Sequence, residues 1–155
     1  MEELLAYAYL LGMDLISEEI YEEKLNELFL QNPTDEDLLD LEFLNRNRKE
    51  TIIYIQTHLN YNSMDFDKFG RVLFGLLKPI YASMDIRRFG NAMYSLWEKL
   101  PGNLQDMQPF LILCYADDPL SWGDEKQSRE IYEEMLEYYE ADSLYEMDNK
   151  SLAPK

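Results

Sequence analysis

The sequence predicts an all-α protein, a single-domain bundle of six or seven helices that includes a duplicated antiparallel helix pair. Three observations carry this expectation. Apolar residues recur at helical spacing along most of the chain. Glycine and proline are scarce, at six each, and fall mostly between the periodic segments. One helix-length segment is repeated 20 residues further on. A chain of 155 residues suits one domain with its own core. With 46% apolar and 14% aromatic residues it has enough material to bury, so folding is expected.

Segment 2–13 carries Leu4, Leu5, Ala8 and Leu11 and is apolar nearly all round, as a buried helix is. Ser17 stands where an N-cap belongs, and Glu18 and Glu19 follow where the helix dipole favours negative charge. The apolar face of that second helix is Ile20, Tyr21, Leu25, Leu28 and Phe29, and Asn32-Pro33 ends it. Thr34 and Asp37 form a capping pair for a third helix over 35–45, with Leu38, Leu41 and Leu44 inward. Segment 47–59 is ambiguous, because Thr51-Ile52-Ile53-Tyr54-Ile55 is β-branched enough for a strand. No second run of that kind offers a pairing partner, so helix is expected.

The repeat aligns Tyr61-Asn62-Ser63-Met64-Asp65-Phe66-Asp67-Lys68-Phe69-Gly70 with Tyr81-Ala82-Ser83-Met84-Asp85-Ile86-Arg87-Arg88-Phe89-Gly90. It continues with Phe74 over Tyr94, Leu76 over Leu96 and Leu77 over Trp97. The apolar positions of both copies fall at helical spacing, and Ser or Asp at each start can cap. Two helices follow, about 65–77 and 85–99, joined by a turn containing Pro79 and packed antiparallel. Phe69 and Phe89 take equivalent inner positions. Gly70 and Gly90 sit on the apolar faces, where close helix approach is the reason to accept glycine.

After Pro101-Gly102 a helix is expected over 105–116, then a loop from Asp117 to Asp124. Asp124 with Gln127 resembles a capping box and opens the last helix, 125–140, whose inner stripe is Ile131, Tyr132, Met135, Leu136 and Tyr139. Residues 142–155 lose periodicity and are expected as a flexible tail behind a helical domain over 1–141.

The formal charge is −17. That field repels nucleic acid and anionic membrane and attracts basic partners. It is unevenly spread: residues 14–50 hold 12 acidic and 4 basic side chains, and 117–148 hold 12 acidic and 2 basic. Residues 58–99 between them are mildly basic, with 4 acidic and 6 basic. Either acidic arm can form an interface.

Nothing in the sequence assembles a catalytic centre. His58 is the only histidine, and near a helix end it is expected to satisfy a backbone carbonyl. There is no Gly-rich phosphate loop and no paired Cys-x-x-Cys. Asp117, Asp118 and Asp124 are hard-cation donors by type, but they lack EF-hand spacing and its closing glutamate, so turn and cap roles are expected instead. No cofactor or metal is expected, and no enzymatic activity. The single cysteine, Cys114, lies in an apolar run and reads as a small core hydrophobe. The start Met1-Glu2-Glu3 lacks the basic region of a signal peptide, and the apolar run Leu4–Leu11 is short for a bilayer, so the cytosol is the expected compartment.

The candidate partner-binding residues are Asp117, Asp118, Trp122, Asp124, Glu130, Glu133, Glu134, Glu137 and Tyr138, with Tyr145 a further aromatic. Trp122, between Ser121 and Gly123, fits no helix stripe. It is either a plug folded into the core or an exposed anchor of the kind that dominates interfaces. The outer glutamates of the last helix are either a solvated face or a surface complementary to a basic protein. The same mixture of glutamate and aromatic residues occurs in Glu18–Glu27.

The Tyr115-Ala116-Asp117-Asp118 stretch with Trp122, and the Glu/Tyr-rich helix Glu130–Glu140, resemble the small acidic immunity proteins of bacterial toxin systems, including contact-dependent inhibition. The resemblance is one of overall character. It implies a cytosolic inhibitor that occludes a basic toxin domain, typically a nuclease. Two other classes remain open: a helical adaptor using the duplicated hairpin as a groove, and an acidic nucleic-acid mimic.

Overall fold

Helix accounts for the regular structure of the computed structural model, which describes residues 1–44 and 47–140. Seven helices of nine or more residues are present, and no strand occurs among the described residues. The described chain forms two compact units, Met1–Phe69 and the residues from Gly70 onward.

The first unit is built on α1 (Glu2–Gly12), which buries Leu4, Leu5, Ala6, Ala8, Tyr9, Leu10 and Leu11. α1 packs on α2 (Glu18–Gln31) and on α4 (Arg48–His58), and α3 (Glu36–Leu44) packs on both α2 and α4. The Ser17 side chain accepts from Ile20 N at 3.3 Å and caps α2. For α3 the expected Thr34 cap is replaced by Asp35, whose Oδ1 accepts from Asp37 N at 3.0 Å and Leu38 N at 3.3 Å. Asp and Thr compete at adjacent positions, and the charged oxygen takes the free N–H groups. The β-branched run 51–55 is helical. Thr51 is buried there, and its hydroxyl donates to Leu44 O at 3.0 Å, satisfying an end carbonyl of α3. Arg48 ties the unit together from the surface by pairing with Asp14 and Glu18.

α5 (Phe66–Ser83) and α6 (Ile86–Lys99) are the two copies of the repeat. Each opens on an aspartate cap: Asp65 Oδ1 accepts from Lys68 N at 3.0 Å, and Asp85 Oδ2 from Arg88 N at 3.1 Å. Phe69, Leu73, Phe89 and Met93 are all buried. The copies differ before their caps, because Tyr61–Met64 is turn and coil whereas Tyr81–Ser83 ends α5. The break expected at Pro79 is absent, and α5 runs through it. Pro79 lacks the N–H that would bond Gly75 O, but both residues are exposed, so solvent can take that carbonyl.

The expected helix over 105–116 is absent: the single turn α7 (Gly102–Gln105) ends where it should start, and only a 3-10 turn, Phe110–Cys114, lies within it. Pro109 explains the interruption, since it removes an N–H and disfavours helical backbone at Gln108. A second 3-10 turn, Asp118–Trp122, occupies the expected loop, and α8 (Glu125–Leu136) closes the unit. Cys114 is half-buried rather than in the core. The expected tail over 142–155 lies outside the described residues.

Gly70 and Gly90 serve close approach, but to α8 and its flanks. A Cβ on Gly70 would overlap the hydroxyl end of Tyr139, and one on Gly90 would lie 2.8 Å from Asp117 Cβ and 3.4 Å from the Tyr132 hydroxyl. The two equivalent glycines thus seat tyrosines spaced seven residues apart, two helical turns. Replacing either with alanine overpacks the contact. The expected loss is about 1–3 kcal/mol, read from urea denaturation. Unchanged midpoints at both positions would show that the glycines are not there for clearance.

Candidate protein-binding surface

The expected capping box forms its first half: the Asp124 side chain accepts from Gln127 N at 3.0 Å and starts α8. Helical periodicity then sorts the helix. Ser128, Tyr132, Met135 and Leu136 are buried, and Tyr139 just beyond is buried too. Glu130, Glu133, Glu134 and Glu137 fall on the opposite arc and are exposed. Two bases temper this arc. Lys126 lies 3.8 Å from Glu130, and Arg129 Nη2 lies 2.8 Å from Glu125. The Tyr81 hydroxyl donates to Glu133 at 3.3 Å. Among the described residues no ion pair engages Glu134 or Glu137. Such exposed pairs add little stability, so the arc's net charge remains available to a partner.

Trp122 is 64% exposed. Of its two expectations, the core plug is overturned and the exposed position stands. The turn that carries it is held from within, because Pro119 and Leu120 are buried and the turn packs on α8. Gly123, at φ 82°, ends it in a left-handed conformation that glycine adopts at no steric cost. Asp124 N then donates back to Pro119 O at 2.9 Å. The indole is therefore mounted on a fixed support. Tyr138 is partly exposed, its ring edge-on to Tyr139 at 5.2 Å. Tyr145 lies outside the described residues.

The aspartates divide. Asp118 is exposed, and its carbonyl accepts from Ser121 Oγ at 2.7 Å. Asp117 is half-buried and packs against Gly90, with burial and then the neighbouring Asp118 pushing its carboxyl above the ordinary value. It is a packing residue of the second unit more than a surface acid. Tyr132, beneath it, is fully buried, and its hydroxyl has no hydrogen-bond partner among the described residues.

Because Asp117's pKa is raised on folding, its contribution has a definite sign. The folded state holds the proton more tightly, so stability is full below 3.8 and falls as pH rises through the raised value. Asp117→Asn should flatten that part of the stability–pH curve and slightly stabilise the protein at neutral pH. Parallel denaturation curves for the two proteins check this, and an Asn variant less stable at neutral pH would contradict it.

His58 does what its position predicts: Nδ1 lies 2.9 Å from Tyr54 O, at the end of α4. No group of three or more His, Cys, Asp or Glu among the described residues is placed to hold a metal ion. No helix of the described residues is long and apolar enough to cross a membrane. Sequence periodicity missed Met107, which is partly exposed, and Phe43, which is 87% exposed. Phe43 was discoverable, because it lies off the Leu38, Leu41 and Leu44 stripe of its helix.

No family model, curated protein or solved structure matches the chain.

Proposed function

We propose that this protein is a stoichiometric inhibitor that binds and occludes a basic protein partner, in the manner of immunity proteins that neutralise a toxin domain, with nucleases as the leading partner class. The observation that carries the proposal is the exposure of Trp122 on a buttressed turn against α8, within a segment where residues 117–140 hold nine acidic side chains and two basic. An acidic arc steers a cationic surface into encounter, and a rigid indole supplies area that loses little entropy on docking. Occlusion needs no reactive group in the inhibitor.

The test is capture of the partner on the immobilised chain over a salt series, followed by assay of the captured protein with and without the chain. A basic partner that elutes with rising salt and loses activity at one-to-one stoichiometry supports the proposal. A partner indifferent to salt and active in the complex contradicts it. That second outcome fits a helical adaptor, a reading favoured by Leu30 and Phe43, which the first unit leaves exposed.

A further inference from the structure

The groove between α3 and α4 is apolar for a reason the sequence conceals. It is an open hollow of about 340 Å³ lined by Leu44, Glu50, Ile53, Tyr54, Thr57 and His58. Four of those residues, Glu50, Tyr54, Thr57 and His58, are polar by type, and side-chain hydrogen bonds within the unit engage the last three. The Thr57 hydroxyl donates to Ile53 O at 2.7 Å, and His58 Nδ1 lies 2.9 Å from Tyr54 O. The Tyr54 hydroxyl lies 3.0 Å from both Asp37 Oδ1 and Asp40 Oδ2. The His58 ring stacks on Tyr54 at 3.8 Å, so the two present ring surface. What remains for a visitor is mostly carbon, with Ile53 51% exposed inside the hollow and Phe43 beside Leu44 in sequence. Large apolar side chains left this open on a helix mark a docking surface.

Charge indicates what docks. The described residues from Glu36 to His58 carry Glu36, Asp37, Asp40, Glu42 and Glu50 against Arg48 and Lys49. Arg48 is already committed to Asp14 and Glu18. The geometry points to a groove on the first unit that takes a basic amphipathic helix of a partner protein, its aliphatic stripe on Ile53, Tyr54 and Leu44 and its lysines or arginines facing Asp40 and Glu50. Apolar floor with acidic rim complements a helix with apolar stripe and basic flanks. This inference does not rest on the inhibitor reading, whose residues belong to the second unit.

The experiment measures binding by fluorescence anisotropy of a synthetic leucine–lysine peptide with leucines at i, i+3, i+4 and i+7. Its control is a scrambled peptide of identical composition. The intact protein should prefer the ordered peptide about tenfold, as expected when one aliphatic side chain leaves water. Ile53→Ser with Phe43→Ser, both exposed positions that leave the helical circular dichroism intact, should abolish most of that preference. Asp40→Asn with Glu50→Gln should weaken both peptides and keep the preference. A Glu130→Lys, Glu134→Lys, Glu137→Lys variant should also keep it. Equal binding of ordered and scrambled peptides overturns the proposal, as does a preference that survives the loss of Ile53 and Phe43. A preference lost only in the α8 variant also overturns it, since the site then lies in the second unit.

Discussion

Phe89→Ala is expected to cost about 3–5 kcal/mol of folding stability, the range for truncating a buried phenylalanine. Phe89 is fully buried in the second unit, its ring edge-on to Tyr81 at 5.2 Å and to Tyr132 at 5.0 Å. Alanine there removes apolar area and leaves a cavity between two aromatic rings, Tyr81 and Tyr132, that are held at their own positions. Tyr132 cannot swing to fill it freely, because its hydroxyl end already lies against Gly90. Phe69→Ala should lose a similar amount, since Phe69 is equally buried and packs edge-on to Tyr9 at 6.2 Å. Losses well under about 1 kcal/mol at both positions, as for surface substitutions, would mean that the repeat's apolar face is not a core.

Trp122→Ala should have the opposite profile. The ring is mostly exposed, so folding stability should change by no more than about 0.5 kcal/mol. Dissociation of the partner should accelerate about thirtyfold, corresponding to a loss of ~2 kcal/mol at an aromatic anchor. The association rate should hold, because a neutral side chain contributes little to steering. A destabilised variant with unaltered dissociation would place the indole in the core in solution and remove the anchor.

Much of this fold was legible because helix signals are local. The all-round apolar character of residues 2–13 marks α1 as buried, and Ser17 and Asp124 cap the helices they precede. The repeat marked Phe69 and Phe89 as equivalent inner positions because one spacing and one aspartate cap recur, and each is buried. Misplaced features depend on tertiary surroundings. Thr34 and Asp35 are both competent caps, and only the folded hydrogen bonds show that Asp35 takes the N–H groups while the Thr34 hydroxyl turns to Asn32. Pro79 sits inside a helix because Gly75 faces solvent, which no periodicity encodes. Pro109 is a visible breaker, and it outweighs the helical spacing of the run Phe110–Cys114, which forms only a 3-10 turn. At the candidate surface, the acidic arc of α8 followed from spacing alone. Trp122's exposure and the inward turn of Asp117 did not, because both are set by the 3-10 turn and its packing on α8. The α3–α4 groove was illegible for a further reason: Tyr54, Thr57 and His58 count as polar in sequence until their hydrogen bonds are seen.

The association rate of the captured partner, measured against ionic strength, tests the inhibitor proposal most directly. Glu130→Lys, Glu134→Lys and Glu137→Lys combined reverse the acidic arc and spare the Tyr81–Glu133 contact. All three glutamates are exposed, so thermal stability should stay nearly unchanged. The account predicts slower association at low salt and loss of the salt dependence shown by the intact protein. Association at low salt as fast as that of the intact protein would contradict it and leave the arc of α8 as a solvated face.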